Sequence, residues 1–245
     1  MLSNSTHMHY PPILIWLIDL VFPYRCVACH KYLNRAYLCR TCFRKISIRK
    51  QSECIGCKRA TKGATCPFCK DQNSLDKLLI VSDFKESVVQ SLIKRLKYSF
   101  VFELAYPLNE LTKKYLKLRS SRGDSFIVGN PLLVPVPLHT RRENWRGFNQ
   151  AKLLADMLAR NYHLETHSAL VRVSQRMVQA EINDKDARFK NVQGVYKCLN
   201  KDSVLGRDVL LIDDVCTTGA TLNECARILK AAGAVSVAAL VIARG

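Results

Sequence analysis

VLLIDDVCTTGAT, Val209 to Thr221, is the stretch whose reading decides the fold class. Its four leading apolar residues, Val209 to Ile212, read as a buried strand. Asp213 and Asp214 stand where that strand ends, and Thr217, Thr218, Gly219, Ala220 and Thr221 then turn the chain into a helix. In a parallel α/β sheet, ligands bind beyond the carboxyl ends of the strands. Small side chains let the backbone approach closely, and successive N–H groups with a helix N-terminus form a cradle for phosphate. Neighbouring side chains of a regular strand point to opposite faces, so the two acids share one ligand only where the strand stops. The stretch therefore reads as a sugar-phosphate site, with acids for hydroxyls on one side and backbone donors for phosphate on the other.

Outward from it, apolar strands alternate with amphipathic helices. KLLIVSDF (77–84) reads as a strand, and ESVVQSLIKRLKY (86–98) as a helix with Val88, Val89, Leu92, Ile93 and Leu96 on one side. A second helix is expected over Glu103 to Leu118 despite Pro107, then a short strand in LLVPVP (132–137), whose prolines mark its end. NQAKLLADMLARNY (149–162) reads as a helix, as does Thr221 to Ala232 with Gly233 as its stop signal, and VSVAALVIA (235–243) closes the series as a strand. This alternation over residues 73–245 indicates a mainly parallel sheet flanked by helices. The polar stretch 173–191 is long for a loop in a compact domain, as lids and binding loops are.

Before residue 73 the chain has another character. Cysteines fall in pairs: CVAC (Cys26, Cys29), CRTC (Cys39, Cys42), CIGC (Cys54, Cys57) and CPFC (Cys66, Cys69). Four thiolates complete a closed tetrahedral zinc site, so residues 25–72 are expected to form a double zinc ribbon with two structural zinc ions. Sequential pairing closes loops of nine and eight residues, and interleaved pairing needs longer ones. The shorter closures cost less entropy, which favours Cys26, Cys29, Cys39 and Cys42 on one ion and Cys54, Cys57, Cys66 and Cys69 on the other.

The 245-residue chain carries a formal charge of +18. Two four-thiolate zinc sites, at −2 each, bring that to +14, still enough to point to a polyanionic partner. Residues 1–24 form a lead-in whose apolar run, Ile13 to Phe22, contains Asp19 and is too short to span a bilayer. A short helix packed on the protein is the favoured reading, with contact at a membrane surface as the alternative. No secretion signal is visible, so closely spaced cysteines mean metal and a cytoplasmic location is expected. Cys216 falls inside the opening motif without a neighbouring histidine or second thiol, and is read as a packing residue.

VLLIDDVCTTGAT resembles the binding motif of type I phosphoribosyltransferases, the enzymes that use phosphoribosyl pyrophosphate (PRPP). With PVPLHTRRENWRGFNQA (135–151), RFKNVQGVY (188–196), the cysteine array and the lead-in DLVFPYRCVAC, the chain resembles the ComF/GntX family over most of its length. The resemblance implies a phosphoribosyltransferase fold preceded by zinc ribbons. It implies that Asp213 and Asp214 hold the ribose 2′ and 3′ hydroxyls, that Thr217 through Thr221 wrap the 5′-phosphate, and that Mg²⁺ accompanies PRPP. A departing pyrophosphate needs cations. Arg142 and Arg146 match the family pattern for that role, with Arg141 and Lys97 behind them, and Gln179, Arg188 and Asn191 match it without an assignable chemistry. His139 reads as a hydrogen-bonded turn residue.

Proteins of this family are associated with natural transformation, the uptake of single-stranded DNA, or with DNA as a nutrient. The resemblance thus implies a PRPP-binding protein that handles incoming single-stranded DNA, beside other DNA-uptake, helicase or recombination proteins. Tyr98, Phe100, Phe102, Trp145 and Phe148, interleaved with bases, are candidates for stacking on a strand. The alternative is an active phosphoribosyltransferase in nucleotide metabolism or DNA-as-nutrient use, with no direct DNA role. A structural zinc adaptor leaves the phosphate loop unexplained. No base-binding segment identifies an acceptor, so turnover stays open.

Overall fold

The computed structural model describes residues 24–99, 101–123, 129–173 and 194–245. The apolar run 13–22, Phe100, and Gln179, Arg188 and Asn191 lie outside the described residues. The chain divides into two compact units, Met1–Lys45 and Ile46–Gly245. Composition changes where the cysteines stop, near residue 72, whereas packing changes at 45/46, so each unit carries one cysteine cluster.

The described residues of the smaller unit form a cysteine knuckle followed by a short helix, α1 (Arg40–Lys45). The His30 N–H donates to the Cys26 carbonyl at 3.0 Å, and His30 itself is left-handed at φ 59°. Lys58 repeats that geometry after CIGC, with its N–H on the Cys54 carbonyl at 3.0 Å and φ 61°. The same C-x-x-C turn is thus built twice, as one sequence pattern should build it.

The larger unit opens with the second ribbon, in which β1 (Ser52–Glu53) pairs antiparallel with β2 (Ala60–Thr61) before the single turn α2 (Pro67–Lys70). The alternating series follows: β3 (Lys77–Asp83), α3 (Ser87–Tyr98), a 3₁₀ turn (Phe102–Leu104) leading into α4 (Ala105–Ser120), and β4 (Leu132–Pro135). After it come α5 (Thr140–Arg146), α6 (Gln150–Tyr162), β5 (Leu170–Arg172), β6 (Tyr196–Cys198), β7 (Asp208–Cys216), α7 (Ala220–Ala231) and β8 (Ser236–Arg244). Four strands form one all-parallel sheet in the order β3-β8-β7-β4, while β5 and β6 pair antiparallel beside it.

Burial on both faces explains why these strands read as continuous apolar runs. Leu78, Ile80, Leu132, Val134, Val209 and Leu211 face one core, shared with Leu222, Ala226 and Leu229 of α7. Alternation turns Leu79, Val81, Leu133, Leu210 and Ile212, all equally buried, to the other face. There α4 packs on β3 while α6 packs on β4 and β7. Asn149 caps α6, accepting from the N–H groups of Ala151 and Lys152, and its Nδ2 donates to the Val136 carbonyl at 3.1 Å. One side chain thus ties the start of a helix to the end of β4.

Leu211 is wholly buried in this sheet. Leu211→Ala is expected to lower the unfolding free energy by about 2–5 kcal/mol at unchanged urea m-value. A loss below about 1 kcal/mol would contradict a close-packed core at that face.

Candidate functional site

The opening motif departs from expectation at one point. β7 does not stop at Asp213 but runs on to Cys216, because β8 continues to pair with it: Asp213 opposes Val241 and Cys216 opposes Arg244. Only the other neighbour ends, since β4 pairs last at Pro135 with Ile212. The acids therefore lie inside a strand whose one edge has just come free, and alternation separates them. Asp214 is buried and its Oδ2 meets Lys97 Nζ of α3 at 2.9 Å. Asp213 lies on the other face, where burial first and then its charge push the Tyr196 hydroxyl and the Cys225 thiol of α7 above their ordinary pKa values. The Asp214 N–H donates to Asp213 Oδ1 at 2.8 Å. Burial and then the neighbouring Asp214 charge push Asp213 up to about 7, against the pull of Lys97 and of that N–H.

Past Cys216 the chain makes the expected turn. Gly219 is left-handed at φ 88° and α7 begins at Ala220, whose N–H donates to Thr218 Oγ1 at 3.3 Å. Arg244, at the end of β8, organises the turn from behind. Its Nη1 donates to the carbonyls of Cys216, at 3.3 Å, and Thr217, and contacts Cys216 Sγ at 2.9 Å. The Gly245 N–H also donates to the Cys216 carbonyl, at 2.9 Å. Across a trans peptide the C=O and the following N–H point opposite ways. With both carbonyls held toward Arg244, the N–H groups of Thr217 and Thr218 are turned away from it, as an anion cradle requires.

The second ribbon buttresses the same turn. Arg244 Nε donates to Glu53 Oε1 at 2.6 Å, and Glu53 Oε2 meets Arg49 at 2.9 Å. Ile55, in the CIGC knuckle, is 2% exposed, and a Cβ added to Gly219 would lie 2.6 Å from its Cδ1. Asn223 of α7 accepts from the N–H groups of Ser74 and Leu75, just past the last cysteine pair, at 2.7 and 3.3 Å. Sequence reasoning missed Arg244, Glu53 and Ile55 as site-forming residues. The available signals were a lone arginine ending an apolar strand and the single acid within a basic cysteine-rich segment.

Beside the acids stand the expected cations. Lys97 already pairs with Asp214, while the adjacent Tyr98 meets Trp145 edge-on at 6.2 Å. Arg146 is buried, donating to Gln150 Oε1 at 3.0 Å and lying over the Tyr98 ring at 5.5 Å. That leaves Arg141 and Arg142 as the exposed members of the trio. His139 caps α5, its Nδ1 accepting from the Arg141 N–H at 3.0 Å. Phe102 and Phe148 stack edge-on at 4.7 Å.

Each cysteine cluster gathers four thiols whose sulfurs all lie within 4.8 Å of one another, in the sequential pairing. A tetrahedron with Zn–S bonds of about 2.3 Å has sulfur edges of about 3.8 Å, and the Cys29–Cys39 and Cys57–Cys66 separations are 3.8 and 3.7 Å. Burial raises the Cys26 and Cys54 thiols, but surrounding backbone N–H groups together outweigh it and bring both down to about 6. Cys42 and Cys69 are pushed up to about 12, chiefly by neighbouring thiols. Crowded sulfurs of this kind fit a divalent soft cation that neutralises all four. The clusters suit two structural zinc ions.

Two outcomes follow from this geometry. Gly219→Ala adds backbone strain to a collision with Ile55 and is expected to lower stability by about 1–3 kcal/mol; in urea melts it should cost less in an Ile55→Ala background than in the unaltered protein, and an equal cost in both would deny the collision. The raised Asp213 carboxyl contributes stability that is full below pH of about 4 and lost as pH rises through about 7. Asp214→Asn removes the repelling charge, so the slope of stability against pH between 5 and 8 should flatten; an unchanged slope would deny the coupling.

The comparisons with known proteins agree with this fold. The family model described as Phosphoribosyl transferase domain matches residues 151–245, a span that contains β7, the turn, α7 and β8. Competence protein F of Haemophilus influenzae is 31% identical over 217 residues, covering 86% of this chain and 93% of that protein. Competence protein ComFC of Bacillus subtilis is 30% identical over 217 residues, covering 78% and 83%. DNA utilization protein YhgH of Escherichia coli K12 is 28% identical over 217 residues, covering 82% and 93%. With the parallel sheet, the acid-tipped motif and the paired cysteine clusters in place, these matches establish that the chain belongs to the ComF/GntX family of proteins with a phosphoribosyltransferase domain.

Proposed function

We propose that this protein binds PRPP at the end of β7 and acts in natural transformation, handling incoming single-stranded DNA in the cytoplasm. The observation that carries the PRPP reading is the start of the turn, where Arg244 holds back the carbonyls of Cys216 and Thr217 and Gly245 that of Cys216, which supports N–H groups of Thr217 and Thr218 directed away from them. The 5′-phosphate sits against those N–H groups and the start of α7, where the helix dipole favours negative charge. Because they lie on opposite faces of β7, Asp213 and Asp214 reach the ribose hydroxyls from either side of the edge that β4 leaves free, Asp214 being released when Lys97 turns to the pyrophosphate. Arg142 and Arg141 meet that pyrophosphate from α5, and Arg146 holds α5 in place for them. Mg²⁺ carried in with PRPP would supply neutralising charge at the pyrophosphate, beside the exposed Arg141 and Arg142.

The DNA part of the reading draws on the relatives named for competence and DNA utilization. It also draws on the net charge of +18. Tyr98 and Trp145 are 60% and 57% exposed beside the arginines of α5, an arrangement on which unpaired bases stack. No helix among the described residues is long and apolar enough to cross a membrane. The completeness of the acid pair and cradle favours a second reading, an active phosphoribosyltransferase in nucleotide metabolism without a DNA role. Incubation with PRPP, Mg²⁺ and candidate acceptors separates the two, because only turnover releases pyrophosphate.

PRPP with Mg²⁺ at a hundredfold excess over its Kd should stabilise the protein by about 2.7 kcal/mol, raising Tm by roughly 5–10 °C. Asp213→Asn with Asp214→Asn should abolish that rise. An unaltered protein whose Tm does not move with PRPP would sink the reading.

A further inference from the structure

The second cysteine cluster reaches the turn after β7 by three routes. Glu53, next to Cys54, holds Arg244, and Arg244 holds the carbonyls of Cys216 and Thr217. Ile55, between Cys54 and Cys57, occupies the space that a side chain at Gly219 would need. Past Cys69 the chain is pinned by Asn73, whose Nδ2 donates to the Cys69 carbonyl at 2.8 Å, and the N–H groups of Ser74 and Leu75 then reach Asn223 Oδ1. The Asn223 N–H in turn donates to the Gly219 carbonyl at 2.9 Å. The start of the turn, its glycine and the first turn of α7 are therefore each held from the side of the cluster.

All three routes need the cluster closed. A Cβ added at Gly56 would lie 2.9 Å from both Cβ and Sγ of Cys69, so the CPFC segment presses directly on the CIGC backbone that carries Ile55. The Cys66 N–H donates to Cys54 Sγ at 3.3 Å, which joins the same two segments beside Glu53. The β1–β2 pairing within the ribbon is only two residues a side, too little to hold it without a common ligand. Closure of the ribbon thus depends on four thiols gathered around one ion.

We propose that these contacts couple the zinc occupancy of Cys54, Cys57, Cys66 and Cys69 to PRPP affinity, so that zinc in the second cluster and PRPP in the turn each tighten the binding of the other. The inference rests on the proposed PRPP site and gives that site a means of regulation. Coupling between two ligands is reciprocal. PRPP fixes the turn, and a fixed Gly219 and Asn223 fix Ile55 and the chain after Cys69, which keeps the thiols together. An open cluster frees those same residues, and the backbone donors of the turn are no longer aimed before the anion arrives. A ribbon that served only to hold itself up would leave the two affinities independent.

The test is pulsed alkylation of the full-length, zinc-loaded protein with N-ethylmaleimide, read at each cysteine by peptide mass mapping. Cys29 and Cys57 are the exposed members of clusters with the same pattern of burial, so Cys29 is the matched reference. Saturating PRPP with Mg²⁺ should slow alkylation of Cys57 by about fivefold or more and that of Cys29 by less than about twofold. Asp213→Asn with Asp214→Asn should remove the difference. Ile55→Ala with Asn223→Ala keeps every thiol and should at least halve the protection of Cys57. Equal slowing at both cysteines, protection undiminished in either double variant, or no protection of Cys57 in a protein whose Tm rises with PRPP would overturn the coupling. In the last case the PRPP site stands without it, whereas a Tm that ignores PRPP removes both.

Discussion

The buried guanidinium of Arg244 is the contact on which the site depends. It ends the last strand of the sheet, and from there it neutralises Glu53 and draws back the carbonyls of Cys216 and Thr217. A buried arginine without a carboxylate is expensive, and a buried glutamate without a cation equally so. Each needs the other in place. Their pairing makes the orientation of the turn a consequence of packing the second ribbon, and not a local choice of five small residues. Preorganisation of that kind matters for a cradle made of backbone donors, whose value lies in being aimed before the anion arrives.

This dependence gives the second cysteine cluster a role beyond holding up its own segment. A ribbon of that size buries too little apolar surface to fold alone, and metal supplies what the core cannot. What the ribbon contributes in return is specific. Ile55 projects from between two ligands to close the space that a side chain at Gly219 would occupy, and the chain leaving Cys69 gives its N–H groups to Asn223 of α7. The glycine of the motif thus meets two demands: a left-handed backbone and room for Ile55. Composition alone would assign this ribbon to a separate domain, but its packing places it in the same compact unit as the sheet.

The elements with strong periodicity were legible from the sequence. The helix over 86–98, the strand 77–84 and the final helix and strand appear within a residue or two of their expected bounds, since each pairs a clear apolar face with a clear stop. The extent of β7 was not legible. A run of acids and threonines looks like the end of a strand, yet backbone pairing does not depend on side-chain polarity, and β8 carries β7 three residues past Asp213. The sequential grouping of the cysteines was legible because loop closure is local. The Glu53–Arg244 pair was not, because nothing in a single sequence announces a contact between residues so far apart. Arg146 shows a milder form of the same blindness, for an arginine in a basic loop gives no sign that it will pack beneath a tyrosine.

The placement of charge follows from these constraints. Several cations that enter the core of the larger unit are matched by acids, with Glu53, Asp83, Asp214 and Asp76 meeting Arg49, Arg244, Lys97 and Lys230, while Arg146 is held by Gln150 and the Tyr98 ring. The formal excess of +18 is therefore left for the surface. It does not spread evenly there. The end of α4 brings two arginines against the basic flanks of β1 and β2, and the start of α5 places two more past β4, beside the acids of β7. A chain that uses these carboxylates in its interior and leaves Arg141 and Arg142 exposed past β4 is organised to meet a polyanion at the carboxyl ends of its strands.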